Sequence, residues 1–129
     1  MNTPKNLKYA ETDEWISADG NKGKIGISDY AQDQLSDIVY VEFNKDPGDA
    51  FEKGDVLATI ESVKAAGDVI APVSGTVVEI NETLEESPET LNEDPYELGW
   101  LVKVEISDAS QLNDLYDAEG YEKYCESRD

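Results

Sequence analysis

The sequence predicts a mainly β fold, a small sandwich or barrel, with short helices and a helical C-terminal segment. Three observations lead there. Turn signals built on Gly, Pro, Asn and Asp recur about every ten residues between runs of strand formers. The runs alternate with the two-residue period of a strand. From Asp108 onward the period lengthens to that of a helix.

The elements follow in order. "KGKIGIS" (22–28) reads as a short strand with Ile25 and Ile27 on one face. Ser28 is placed to cap a helix over "DYAQDQLS", with Asp29 favourable at the positive end of its dipole. "DIVYVEF" (37–43) is a strand in which Val39, Val41 and Phe43 alternate with Ile38, Tyr40 and Glu42. Two turn signals follow, Pro47-Gly48-Asp49 and Lys53-Gly54-Asp55. The strand "VLATIE" then leads into a turn that carries Lys64, and "DVIAP" leads out, ended by Pro72. "PVSG" turns the chain into the strand "TVVEIN" (76–81). Residues 82–99 are acidic, interrupted by Pro88 and Pro95, and expected to be mostly loop with a short helix. "GWLVKVEIS" (99–107) is the last strand, with Val102, Val104 and Ile106 on one face and Leu101, Lys103 and Glu105 on the other. Beyond it, Leu112, Leu115, Tyr116 and Tyr124 form one helical stripe expected to pack on the strands, and Gly120 is expected to split the segment into two helices.

Composition narrows the function. The chain has 129 residues, 30 Asp and Glu against 10 Lys and Arg, and a formal net charge of −20. A surface so acidic repels nucleic acid and anionic lipid, favours partners with basic docking faces, and keeps a protein soluble and monomeric. There is no histidine, which removes the commonest general base and the commonest metal ligand. The single cysteine, Cys125, forms no disulfide within the chain and is expected to be an exposed or partly packed thiol. The carboxylates of residues 82–99 lack the EF-hand pattern of alternating ligands and central glycine. No Walker or Gly-x-Gly-x-x-Gly sequence occurs. The N-terminus has no apolar signal core and is not an arginine-rich transit segment, so a soluble, cytoplasmic protein is expected.

One feature is left, the lysine in "ESVKAAGD". A tight connection between strands more usually carries Asn, Gly or Asp. A hairpin tip exposes an amine to a modifying enzyme and holds it on rigid strands. Such an amine is a poor unaided nucleophile, better suited as the anchor of a prosthetic group. On spacing alone Lys64 reads first as an ordinary surface lysine, since exposed lysines are common.

The surrounding residues resemble a known family. "ESVKAAGDVIAPVSGTVVEIN" closely resembles the lipoyl-lysine segment of glycine cleavage system H proteins. "LKYAETDEW" is similar to the family's opening, "IGISDYAQDQLSDIVYVEF" to its first block and "NEDPYELGWLVKVEISD" to its late segment. Lipoyl domains of 2-oxoacid dehydrogenases and biotin carriers share the lysine hairpin. Biotin carriers usually place methionines beside the lysine, where Val63 and Ala65 stand here.

The resemblance implies a hybrid barrel-sandwich, with residues 1–129 as one lipoyl-carrier domain and a helical extension from about Asp108 to Asp129. It implies lipoic acid joined by an amide to Lys64, framed by Glu61, Ser62, Val63, Ala65 and Asp68. Glu61 and Asp68 either help the lipoylating enzyme to recognise the hairpin or serve only its solubility. The implied partners are a pyridoxal-phosphate glycine decarboxylase, a tetrahydrofolate-dependent aminomethyltransferase, a flavin-containing dihydrolipoyl dehydrogenase and the lipoylating enzyme. The chain itself would be a non-catalytic carrier, its chemistry belonging to the arm and to the partners. Two other readings stay open: a lipoyl donor or carrier for another system, and an unmodified interaction module on the same scaffold. The family commonly reads His-Glu-Trp where this chain reads Asp13-Glu14-Trp15, and often has glycine where Ser36 stands. The first departure leaves no histidine beside a loaded arm, and the second alters a local turn. Glu14 either bonds the aminomethyl amine in a resting cleft or is a surface carboxylate.

Overall fold

The computed structural model describes residues 1–128; Asp129, the last residue of the expected extension, lies outside the described residues. The chain opens with two strands that the alternation pattern does not reveal, β1 (Lys8–Tyr9) and β2 (Glu14–Asp19). β2 hides from a period-two search because Glu14, Trp15 and Ile16 are buried in succession. Next come β3 (Lys22–Ile27) and α1 (Asp29–Leu35), the helix capped by the Ser28 hydroxyl, which accepts from the Ala31 N–H. β4 (Ile38–Phe43), a two-residue β5 (Ala50–Phe51), β6 (Val56–Ser62) and β7 (Ala66–Ile70) follow, then β8 (Gly75–Ile80). The acidic segment folds into two single-turn helices, α2 (Thr83–Glu86) and α3 (Thr90–Glu93), more order than its prolines suggest. Each turn buries one leucine, Leu84 and Leu91, and this anchors an otherwise polar stretch. β9 (Val102–Ile106) completes the strands, and α4 (Ala118–Ser127) ends the described chain.

The strands form two antiparallel sheets, neither closed into a barrel. One has the order β1-β2-β3-β9-β8-β5, the other β4-β6-β7. The faces of β9 separate two cores. Val102, Val104 and Ile106 join Ile16, Ile25 and Val77, while Leu101 turns the other way to join Ile38, Val41, Ile60 and Val69. A third core is largely aromatic: Tyr9 stacks on Tyr121 with ring centroids 4.7 Å apart, beside Trp15. The Trp15 indole lies across Gly26 of the neighbouring strand, where a Cβ would come within 2.7 Å of the ring. Its N–H donates to the Pro95 carbonyl at 3.0 Å and so pins the loop before β9.

Three expectations are corrected. The regular alternation expected of β4 is interrupted by a bulge between Ile38 and Tyr40, so Ile38 and Val41 share the buried face and Val39 and Tyr40 stand in solvent. The helical stripe after Asp108 is broken at residues 115–117, not at Gly120. A 3-10 segment, Ala109–Asp114, ends there, and Tyr116 exchanges two backbone bonds with Tyr9 of 2.8 and 2.9 Å. Asp117 then caps α4 by accepting from the Gly120 N–H at 2.8 Å. An aspartate cap thus sets the boundary, and the glycine sits inside the first turn. Cys125 is buried against the aromatic core.

Ser36 ends α1 at φ 65°, ψ −151°, a conformation that only glycine adopts without strain. Ser36→Gly is therefore expected to stabilise the protein by about 1 kcal/mol, read as a higher urea midpoint at unchanged slope. A lower midpoint would show that the serine side chain contributes more than the strain costs.

Candidate functional site

The last pair of the β6–β7 hairpin is Glu61 with Ala66, so four residues, Ser62, Val63, Lys64 and Ala65, make the connection. Ser62 braces it. Its hydroxyl accepts from the N–H groups of Lys64 (3.3 Å) and Ala65 (3.1 Å) and donates to the Ala65 carbonyl (3.0 Å). The Val63 N–H donates to the Asp37 carbonyl at 3.0 Å, which ties the tip to the start of β4. The backbone under Lys64 is thus fixed while its side chain is in solvent, and among the described residues no carboxylate pairs with it. Glu61, Val63 and Ala65 are exposed around it.

Asp68 is set apart from the tip. It is the third residue of β7, four beyond Lys64, and its carboxylate accepts from the Thr59 hydroxyl at 3.3 Å. Here β7 forms one wall of a cleft of about 200 Å³. The Thr12–Glu14 turn and helix α1, through Ala31, Gln34 and Leu35, form the others. Ile27, Ile60, Val69 and Leu35 make it apolar inside, with carboxylates at Glu14 and Asp68.

Glu14 is no surface carboxylate: it is 1 % exposed. One oxygen accepts from the Thr12 hydroxyl and the other from the Ile70 N–H at 3.0 Å. These donors favour the charged form, but burial outweighs them and raises its pKa from 4.5 to about 7. The neighbouring Asp13 adds to the rise. The cleft therefore holds a carboxyl group that a nearby cation would drive to its charged form. Its other wall residues, Thr12, Gln34 and Leu35, carry no signal in the sequence, because the cleft arises only when the first turn, α1 and β7 meet. Asp13, where the resembled family commonly has histidine, adopts φ 79° and points its carboxylate at Tyr121 and Arg128.

The structure is that of a small β-protein of two antiparallel sheets with a lysine exposed on a braced hairpin. A family profile described as glycine cleavage H-protein matches residues 7–128. The glycine cleavage system H protein of Carboxydothermus hydrogenoformans is 54 % identical over 123 residues, 95 % of this chain and 94 % of that one. The mitochondrial glycine cleavage system H protein 2 of Arabidopsis thaliana is 51 % identical over 125 residues, 97 % of this chain and 80 % of that one. In three dimensions the chain is similar to the crystal structure of a glycine cleavage system H protein from Mycobacterium marinum, with a TM-score of 0.83, 30 % identity, and 97 % and 98 % of the two chains covered. The chain belongs to the glycine cleavage H-protein family, and its fold is the expected hybrid barrel-sandwich with a C-terminal helix.

The raised pKa of Glu14 has a consequence for stability. A carboxyl group whose folded pKa lies above its unfolded value stabilises the fold only while it is protonated. Its contribution is complete below pH 4.5 and is lost as pH rises to about 7. Glu14→Gln keeps an acceptor for Ile70 without the charge. It is expected to leave stability nearly unchanged at pH 4 and to raise it at pH 8, by up to ~3 kcal/mol. Unfolding free energies of both proteins across that range check it, and a constant difference would place the Glu14 pKa at its ordinary value.

Proposed function

We propose that Lys64 carries lipoic acid in amide linkage and that the chain is a non-catalytic carrier. It would shuttle the aminomethyl group of glycine from the decarboxylase to the aminomethyltransferase of the glycine cleavage system. The observation that carries the reading is the exposed Lys64 on a braced tip, without a carboxylate partner among the described residues, with an apolar cleft along β7 that ends at Glu14. Bound at Lys64, the lipoyl group would supply a disulfide that is reduced as one sulfur takes up the aminomethyl carbon, and that is left as a dithiol for the dihydrolipoyl dehydrogenase to re-oxidise. Ser62 fixes the anchor, so the arm swings from one defined point. Ile27, Leu35, Ile60 and Val69 offer hydrocarbon to the arm, and Glu14 and Asp68 offer negative charge to a protonated amine. Sheltered from water, the cargo would be released more slowly. Residues 1–129 act as one carrier unit in this reading, a cytoplasmic monomer whose charge of −20 opposes self-association. The same charge suits brief docking on basic faces of the decarboxylase, the aminomethyltransferase, dihydrolipoyl dehydrogenase and the lipoylating enzyme.

Intact mass and peptide mapping of the protein from its own cells test the attachment. One lipoyl group on the Lys64 peptide is expected, and lipoate on another lysine, or on none in lipoate-fed cells, overturns the reading. Lys64→Arg should fold normally and lose carrier function, since arginine keeps the charge but forms no such amide. The shelter is tested by the rate at which aminomethyl-loaded protein, freed of partners, releases ammonia. Glu14→Gln should speed that release about tenfold at pH 8, by loss of one charge-assisted bond. Because the charged cargo favours the carboxylate, the gap between the two proteins should persist below pH 7 and close only at the lower pH where Glu14 of the loaded wild type gains its proton. Equal rates at pH 8 would show that Glu14 does not hold the arm.

A further inference from the structure

Nine of the ten cationic residues of the chain are lysines, and the one arginine, Arg128, stands at the end of the described chain. Its side chain engages a carboxylate, a thiol and two aromatic rings. Its guanidinium donates to both oxygens of Asp13, at 2.6 and 3.2 Å, and to the Cys125 sulfur at 3.4 Å. It stacks on the Tyr30 ring at 4.2 Å and on the Tyr124 ring at 4.3 Å. Two parallel bonds to a carboxylate with stacking on aromatic faces require a planar fork, which lysine lacks. The side chain is only 26 % exposed, unlike those of the surface pair Lys123–Glu119 on the same helix.

Asp13 sits at φ 79°, unfavourable for a side chain, and is the middle residue of the Thr12–Glu14 turn. Tyr121 donates to the Asp13 carboxylate at 2.7 Å, and the Tyr121 oxygen lies 2.6 Å from the hydroxyl of Ser28, which caps α1. The Asp13 carbonyl accepts from the Ser28 N–H at 2.9 Å. One charged cluster at the end of α4 thus fixes both the turn that aims Glu14 and the residue that caps the helix walling the cleft. We propose that Arg128, acting through Asp13, is a positioning residue that holds the Glu14 carboxylate against β7 and so sets the geometry of the arm cleft. The C-terminal helix then acts as a latch on a site to which it contributes no lining residue.

The part of this inference that concerns the arm rests on the shelter proposed above, so the primary readout does not involve the arm. Glu14 accepts from the Ile70 N–H, and exchange of that amide with solvent reports whether the bond is made. In the unloaded protein, Arg128→Met is expected to speed Ile70 exchange about tenfold and to leave Val104, in the distant β9, unchanged. Arg128→Lys, with the charge but not the fork, should fall between. Lys123→Met, which frays the same helix without touching Asp13, should leave Ile70 as in the wild type. Asp13→Asn approaches the cluster from its other end, tolerates the positive φ, and should reproduce the Arg128→Met effect in a smaller degree. Unchanged Ile70 exchange in both Arg128→Met and Asp13→Asn overturns the proposal, as does an equal rise in Lys123→Met. If Ile70 exchange rises selectively, ammonia release from loaded Arg128→Met separates the two readings. Faster release, as in Glu14→Gln, supports both. Release at the wild-type rate in both variants supports the latch and removes the shelter.

Discussion

The bond from the Ile70 N–H to the buried Glu14 carboxylate joins the free edge of the three-stranded sheet to the second strand of the six-stranded one. An edge strand presents unpaired backbone groups and invites pairing with another chain. Here the edge is met by a side chain from the opposite sheet, and the space left beside it is the cleft. Carboxyl burial makes this arrangement costly in the charged state, which is why Glu14 titrates at about 7. A neutral residue at this position would leave a more stable protein at high pH. The site therefore trades stability for a group whose charge a bound cation can call up.

The rest of the structure is arranged around that trade. The hairpin tip is braced through Ser62 and through the Val63–Asp37 bond, which hold the backbone beneath Lys64. None of the carboxylates among the described residues closes to ion-pair distance of the lysine, although the chain carries 30 Asp and Glu. The aromatic core under α4 has little to do with the hairpin. It packs Tyr9, Trp15 and Tyr121 behind the Thr12–Glu14 turn and supports it from within.

Much of this was legible in the sequence, and what was not has identifiable causes. Strands with one buried face announced themselves by alternation, and Ser28 by its place before an acidic first turn. The lysine hairpin stood out because its turn lacks the usual turn residues. β2 did not, because three consecutive residues are buried and one of them is charged. The β4 bulge was hidden because Val39 and Tyr40 are as strand-like as their neighbours, although they face solvent. The start of α4 was misplaced because glycine is a louder signal than an aspartate cap. Glu14 could be suspected but not assigned. Its burial depends on β7 and α1 arriving from residues far along the chain, and no local pattern records that meeting. The strain at Ser36 was foreshadowed only as a departure from a family that often has glycine there.

On the proposed function, Glu14 is a buried carboxyl group, poised near neutrality, that the charged cargo of the arm converts to its anion. The carboxyl carbon-13 resonance of Glu14, followed against pH in the lipoylated protein before and after aminomethyl loading, tests it most directly. The account predicts a midpoint at about 7 without cargo and well below that with it. The same midpoint in both states, or an ordinary carboxylate midpoint without cargo, would contradict it.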